Sequence, residues 1–172
     1  MKKIDVLYVA RWDASGSQGV IKKINGVVAA LNASGVSAAA IIISTPGLFG
    51  HLKFFTTLLS ARSQTVVVRS TAYSMLLVFF ALLFQRFFLQ ANVIVDVPTP
   101  FVAVYDEIKG KPGSFLSKTL KRVLILASFP WALWPASRIV QYAHESKHFS
   151  FGLNKKTMLM ANGINCSDIQ PI

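Results

Sequence analysis

A chain of 172 residues is long enough for one domain with a real core, and its hydrophobic content of 53% with a mean hydropathy of +0.50 is high for a soluble domain. Its 18 Lys and Arg against 7 Asp and Glu give a net charge of +11, which calls for an anionic partner. The basic residues come singly and in pairs, without the long basic run of a nucleic-acid tail, so lipid or phosphate is the expected partner and nucleic acid is not.

Lys2 and Lys3 precede an apolar stretch, but Asp5 interrupts it and Arg11-Trp12-Asp13 ends it, so it reads as a first strand and not as a signal peptide. That strand is residues 4–10 (IDVLYVA). Gly16, Ser17, Gln18 and Gly19 then make a glycine-rich turn. Val20, Ile21, Ile24, Val27, Val28 and Leu31 follow at the 3.6-residue period of a helix with one buried face. Asn32, Ser34 and Gly35 supply its stop. Strand, glycine turn and helix open a doubly wound α/β domain, although the full dinucleotide fingerprint is lacking.

The second strand is residues 36–44, followed by a Thr45-Pro46-Gly47 turn and a helical segment over 48–60. Residues 65–69 (TVVVR) form the third strand, 70–90 one long apolar helix, and 92–97 (NVIVDV) the fourth strand. Pro98-Thr99-Pro100 ends it, and 106–114 reads as an exposed loop. A helix over 115–127, a strand over 138–141, a short helix over 146–151 and a strand over 157–160 complete the chain. The alternation predicts an α/β fold: a single Rossmann-like, doubly wound parallel sheet of about six strands with helices on both faces. Ligands of such sheets bind at the carboxyl ends of the strands, where Gly16–Gly19, Arg69 and the Asp96–Pro100 segment should converge.

Residues 75–84 (MLLVFFALLF) and 124–136 (LILASFPWALWPA) are apolar but too short to span a bilayer. They read as buried helices or as membrane-surface attachments; Lys118, Lys121 and Arg122 ahead of Trp131 and Trp134 suit an anionic leaflet. His144 and His148 share a helix face but have no third ligand at metal-binding spacing, so no metal site is expected, and His51 reads as a loop residue. Cys166 has no identifiable base partner, and a lone cysteine fits a reducing compartment.

Three stretches together carry a resemblance: GSQGVIKKINGVVAAL at 16–31; the Arg69 strand end with VIVDVPTP at 93–100; and SRIV at 137–140 with FGL at 151–153 and KTMLMANGIN at 156–165. In this order the chain resembles the N-terminal domain of family 4 glycosyltransferases of the GT-B fold, the group that builds polysaccharides and lipid-linked glycans. The resemblance implies that residues 1–165 are the acceptor-side domain and that 166–172 begin an interdomain linker, with the donor domain absent from these residues. Asn162 and Gly163 would then lie at the hinge, and Asn165 stands where the family often has Asp.

By the same resemblance, the backbone of Gly16, Ser17, Gln18 and Gly19 approaches phosphate oxygens, Arg69 pairs with an acceptor phosphate, Thr99 shapes the cleft wall, and Asp96 is a candidate base. The glycine turn, Arg69 and Asp96 have plainer structural readings: a tight turn needing glycine dihedrals, a surface ion pair or helix-end contact, and a strand-end carboxylate that is orienting or structural. The implied activity is sugar transfer from a nucleotide-diphosphate sugar to a glycan or lipid-linked acceptor, on the inner face of the membrane. This chain alone would bind no cofactor and would need a donor-binding partner domain or second chain. The alternatives are a non-catalytic membrane-associated module, a truncated remnant, and a flavodoxin-like nucleotide or phosphate binder unrelated to sugars.

Overall fold

The structure, a computed structural model, describes residues 4–12, 18–69, 75–97, 108, 110, 114–141 and 153–159. Strands β1 (Val6–Arg11), β2 (Ala38–Ile43), β3 (Thr65–Arg69), β4 (Asn92–Val97), β5 (Arg138–Gln141) and β6 (Thr157–Leu159) form one all-parallel sheet. Their order is β2-β1-β3-β4-β5-β6. Parallel neighbours need crossovers, and the four from β1 to β5 run through helices α1 (Gln18–Ala33), α2 (Gly47–Ser60), α3 (Met75–Leu83) and α4 (Phe115–Leu133). The α/β, doubly wound reading therefore holds, and the β1–β3 boundary is the point where the winding reverses.

The reversal explains the two layers. Right-handed crossovers that step in opposite directions along a sheet must lie on opposite faces. On one face, Ile24 of α1 packs on Tyr8 and Ala10, with Val20, Val28, Ala40, Ile42 and Val67 around them. On the other, Val9, Val66, Val68, Val93 and Val95 meet Phe54 and Leu58 of α2, Leu82 of α3 and Leu133 of α4. Alternate strand residues point to opposite faces, so strands covered on both sides read as continuous apolar runs.

The stop of α1 lies where Asn32 and Gly35 place it. Gly35 has φ +87°, which favours glycine, and the Asn32 side chain both donates to the Ala38 carbonyl and accepts from the Ala38 N–H at 3.0 Å. The stripe along α1 is narrower than its apolar residues suggest, because Val27 is exposed.

Residues 70–90 do not form one regular helix over their described part. After α3 the chain widens into a π turn at Phe84–Phe88. Gln85 explains this: its buried amide donates to the carbonyls of Leu58 and Ala61, at the end of α2. The extra residue in the turn aims Gln85 inward at carbonyls that the helix end leaves without intrahelical donors. Helix α4 also outruns the expected 115–127, continuing past Pro130 because Ala132 and Leu133 have no exposed surface. Ser114 caps its start, accepting from the Ser117 N–H at 3.3 Å. Within 106–114, read as an exposed loop, Ile108 is buried in the core. A 3-10 turn at Leu153–Lys156, absent from the sequence reading, leads into β6. The proposed helix over 146–151 and the hinge residues Asn162 and Gly163 lie outside the described residues.

Phe54 is among the largest fully buried side chains. Truncation to Ala should cost about 3–5 kcal/mol in urea unfolding. Val27→Ser on the exposed side of α1 should stay within about 0.5 kcal/mol.

Candidate functional site

The carboxyl ends of β1, β3 and β4 hold a polar cluster inside an otherwise aliphatic sheet. In the parallel register, Ala10, Arg69, Asp96 and Val140 stand in one row across β1, β3, β4 and β5. Tyr8 and Val67 are paired one step earlier, on the same face as α1. Ala10 presents only a methyl group in this row, which leaves room above the Tyr8 ring for the longer side chains.

Arg69 Nη1 donates to Asp96 Oδ2 at 2.9 Å, and the Tyr8 hydroxyl donates to the same oxygen. Both side chains of the ion pair are at least nine-tenths buried, at 5% and 3% exposure. Arg69 Nε and Asp96 Oδ1 are buried too, and neither has a hydrogen-bond partner among the described residues. The guanidinium also lies over the Trp12 ring, 5.4 Å from its centroid. A buried carboxylate is costly without compensation, and here an arginine and a phenol share the task.

Lys23 of α1 completes the electrostatics. Burial first, and then the Arg69 charge, hold its ammonium below the ordinary lysine range, with Asp96 pulling the other way. Two cations thus act on one carboxylate. The first turn of α1 begins at Gln18 beside this edge, and a helix N-terminus adds further positive potential. The local field favours an anion. Tyr8 responds oppositely: burial, then the Asp96 charge and hydrogen bond, hold its phenol well above the usual range, partly offset by Arg69.

A second feature shares the edge. Arg11, Trp12, Ile43, Ser44, Thr45, Pro46 and Gly47 line a cleft of about 100 Å³ at the ends of β1 and β2. Arg11 Nη2 donates to the Gly47 carbonyl at 3.4 Å, and Gly47 has φ +66°. Gly50 must be glycine, since a Cβ there would lie 1.8 Å from the Thr45 carbonyl oxygen. His51, read as a loop residue, stands instead in α2 nearby, and is held below its ordinary range by burial and then by Arg11.

Of the residues the sequence singled out, Arg69 and Asp96 are brought into direct contact, and Gln18 and Gly19 open α1 at the same edge. Gly16, Ser17 and Thr99 lie outside the described residues, as do His144, His148 and Cys166. Arg69 does make an ion pair, but a buried one rather than the surface pair considered for it. Tyr8, Arg11 and Lys23 were not anticipated. Their signals were present: a tyrosine in an aliphatic strand, and an arginine ending β1 as Arg69 ends β3. Among the described residues no group of His, Cys, Asp and Glu could hold a metal ion. No protein-family model, no curated protein and no solved structure matches the chain.

An unfolded chain releases its tyrosine proton near pH 10, while folded Tyr8 holds it. The stability this contributes is fully present below about pH 10 and is lost as pH rises further. Tyr8→Phe should flatten that alkaline decline and cost about 1–2 kcal/mol at neutral pH, in denaturant melts across pH. Arg69→Met should cost more, about 3–5 kcal/mol, because it strands a buried carboxylate.

Proposed function

We propose that the chain is the acceptor-binding half of a nucleotide-sugar-dependent glycosyltransferase of the GT-B, family 4-like kind, acting on a glycan or lipid-linked acceptor at the inner face of the membrane. One observation supports this above the rest: the buried Arg69–Asp96 pair, with Tyr8 and Lys23, at the carboxyl edge beside the start of α1. A planar guanidinium suits phosphate oxygens, and a carboxylate beside it suits sugar hydroxyls. In this reading Arg69 and Lys23 take the acceptor's phosphate, assisted by backbone N–H groups of Gly16, Ser17, Gln18 and Gly19. The resemblance assigns Thr99 to the cleft wall.

Asp96 Oδ2 is already occupied by two donors, which leaves Oδ1 to receive an acceptor hydroxyl. Asp96 therefore orients the acceptor in this scheme, and acts as base only if Oδ1 is reached by the reacting hydroxyl. The donor nucleotide-diphosphate sugar belongs to a second domain, on this polypeptide or on another chain, with Asn162 and Gly163 as the hinge.

The strand order favours a second reading. β2-β1-β3-β4-β5-β6 extends the flavodoxin-type order, in which a mononucleotide sits at the β1–β3 reversal without any partner domain.

Purification from the native host, keeping the membrane fraction in gentle detergent, separates these readings. Recovery with a nucleotide-sugar-binding domain and turnover of a nucleotide sugar is the expected outcome. Recovery with no turnover of any nucleotide sugar leaves a binding module. Tight binding of a mononucleotide by the purified chain alone would favour the flavodoxin-like reading. On the transferase reading, Arg69→Lys should weaken binding of a short-chain polyprenyl diphosphate about 10- to 100-fold by calorimetry, with circular dichroism confirming the fold.

A further inference from the structure

Helices α3 and α4 pack against each other over the sheet, and each carries a second apolar stripe that faces away from it. On α3 and the π turn the stripe is Leu77, Phe80, Phe87 and Phe88; on α4 it is Leu116, Leu120, Val123 and Trp131, continued by Trp134 at its C-cap. All are exposed, Phe88 to 76% and Trp131 to 67%. The spacing within α4 is that of a single helix face. The two stripes meet where the Phe87 and Trp134 rings stand 6.3 Å apart, and Phe84 stacks on Phe88 at 5.5 Å. An exposed apolar surface rich in aromatic residues marks an interaction site.

Its charge indicates the partner. At the Trp134 end, the Lys156 ammonium donates to the Trp134 carbonyl at 2.8 Å, and Arg86 donates to the Ser137 hydroxyl. Lys156 and Arg86 lie close enough that burial and then the arginine charge hold the lysine below its ordinary range. Exposed Lys155 precedes Lys156 in the chain, and exposed Arg138 follows Ser137. The carboxylates among the described residues are those of Asp5 and Asp96; Asp5 accepts from the Ser37 N–H, and Asp96 is buried against Arg69. Neither balances this cluster. Aromatic rings beside cations that no carboxylate among the described residues balances match the boundary between acyl chains and anionic headgroups. No described helix is long and apolar enough to cross a bilayer, so the surface would lie on the membrane.

We propose that the outward face of α3, the π turn and α4 docks onto an anionic lipid surface, with Phe87, Phe88, Trp131 and Trp134 entering the interface and Arg86 and Lys156 meeting lipid phosphates. The π turn, Ser137 and the 3-10 turn all precede their strands, so the basic end of this surface lies at the amino ends of β4, β5 and β6. The candidate site lies at the carboxyl ends. Lipid docking and ligand binding therefore use different surfaces, and the docking proposal stands whether or not the chain handles sugars.

The test is flotation of the full chain with vesicles of phosphatidylcholine alone and of phosphatidylcholine with phosphatidylglycerol in equal parts. Binding to the anionic vesicles, weakened by salt, is expected. The F87S/W134S variant should lower it about tenfold or more, and R86Q should lower it on anionic vesicles only. Circular dichroism checks that each variant folds, and blue-shifted tryptophan emission on lipid addition should be lost in W131F/W134F. R69K should bind vesicles like the parent chain, which separates this proposal from the acceptor reading. Absence of binding to anionic vesicles, or binding indifferent to F87S/W134S, would overturn the proposal. So would a lipid-free dimer that the same substitutions dissolve, since the face would then belong to a second copy.

Discussion

A carboxylate with almost no exposure to water governs the carboxyl edge of this sheet. Asp96 sits at the end of β4, between covered strands, where an unpaired charge would be strongly unfavourable. Its neighbours follow from that constraint. Arg69 must lie on the adjacent strand in register, Tyr8 must reach across from β1, and Ala10 must be small enough to let them meet. Trp12 then covers the guanidinium from above. Such a pair is weak evidence for stability in itself, since well-packed apolar residues often do as well. What distinguishes this one is the remainder, Arg69 Nε and Asp96 Oδ1, which no described residue satisfies, in a field made more positive by Lys23.

The alternation of strand and helix was legible because β-branched runs such as TVVVR and NVIVDV leave little alternative, and because glycine and asparagine punctuate them. The stop of α1 at Asn32 and Gly35 was legible for the same local reason. The π turn was not, since only the tertiary bonds from Gln85 to α2 select it over a regular turn. The length of α4 was likewise hidden: a proline signals an ending, and burial of Ala132 and Leu133 overrides it. In the site, Arg69 and Asp96 could be named from their strand ends, but their pairing depends on register between strands 27 residues apart. Tyr8 is further still, separated from Asp96 by 88 positions, and no local pattern announces that contact.

The two helical layers divide the work of the sheet. Helix α1 covers the face that carries Tyr8, Arg69 and Asp96, and its own start faces the same edge. Helices α2, α3 and α4 bury the larger aliphatic core on the opposite face. That core is already satisfied by their inward residues, so the aromatic stripes of α3 and α4 are surplus to it. Surplus apolar surface on a chain of net charge +11 is the physical ground for reading that side as a contact surface.

The buried amide of Gln85 has a consequence for how the molecule opens. By donating to Leu58 and Ala61 it caps α2 from within the π turn after α3, so the end of one helix is held by the middle of the next apolar segment. Neither can fray alone without leaving buried polar groups unpaired. Residues 47–60 and 75–88 should therefore behave as one cooperative unit in native-state hydrogen exchange, their amides sharing a common opening free energy. Helix α1 lies on the far face and shares no such bond with α2 or the π turn among the described residues, so it should open independently of them.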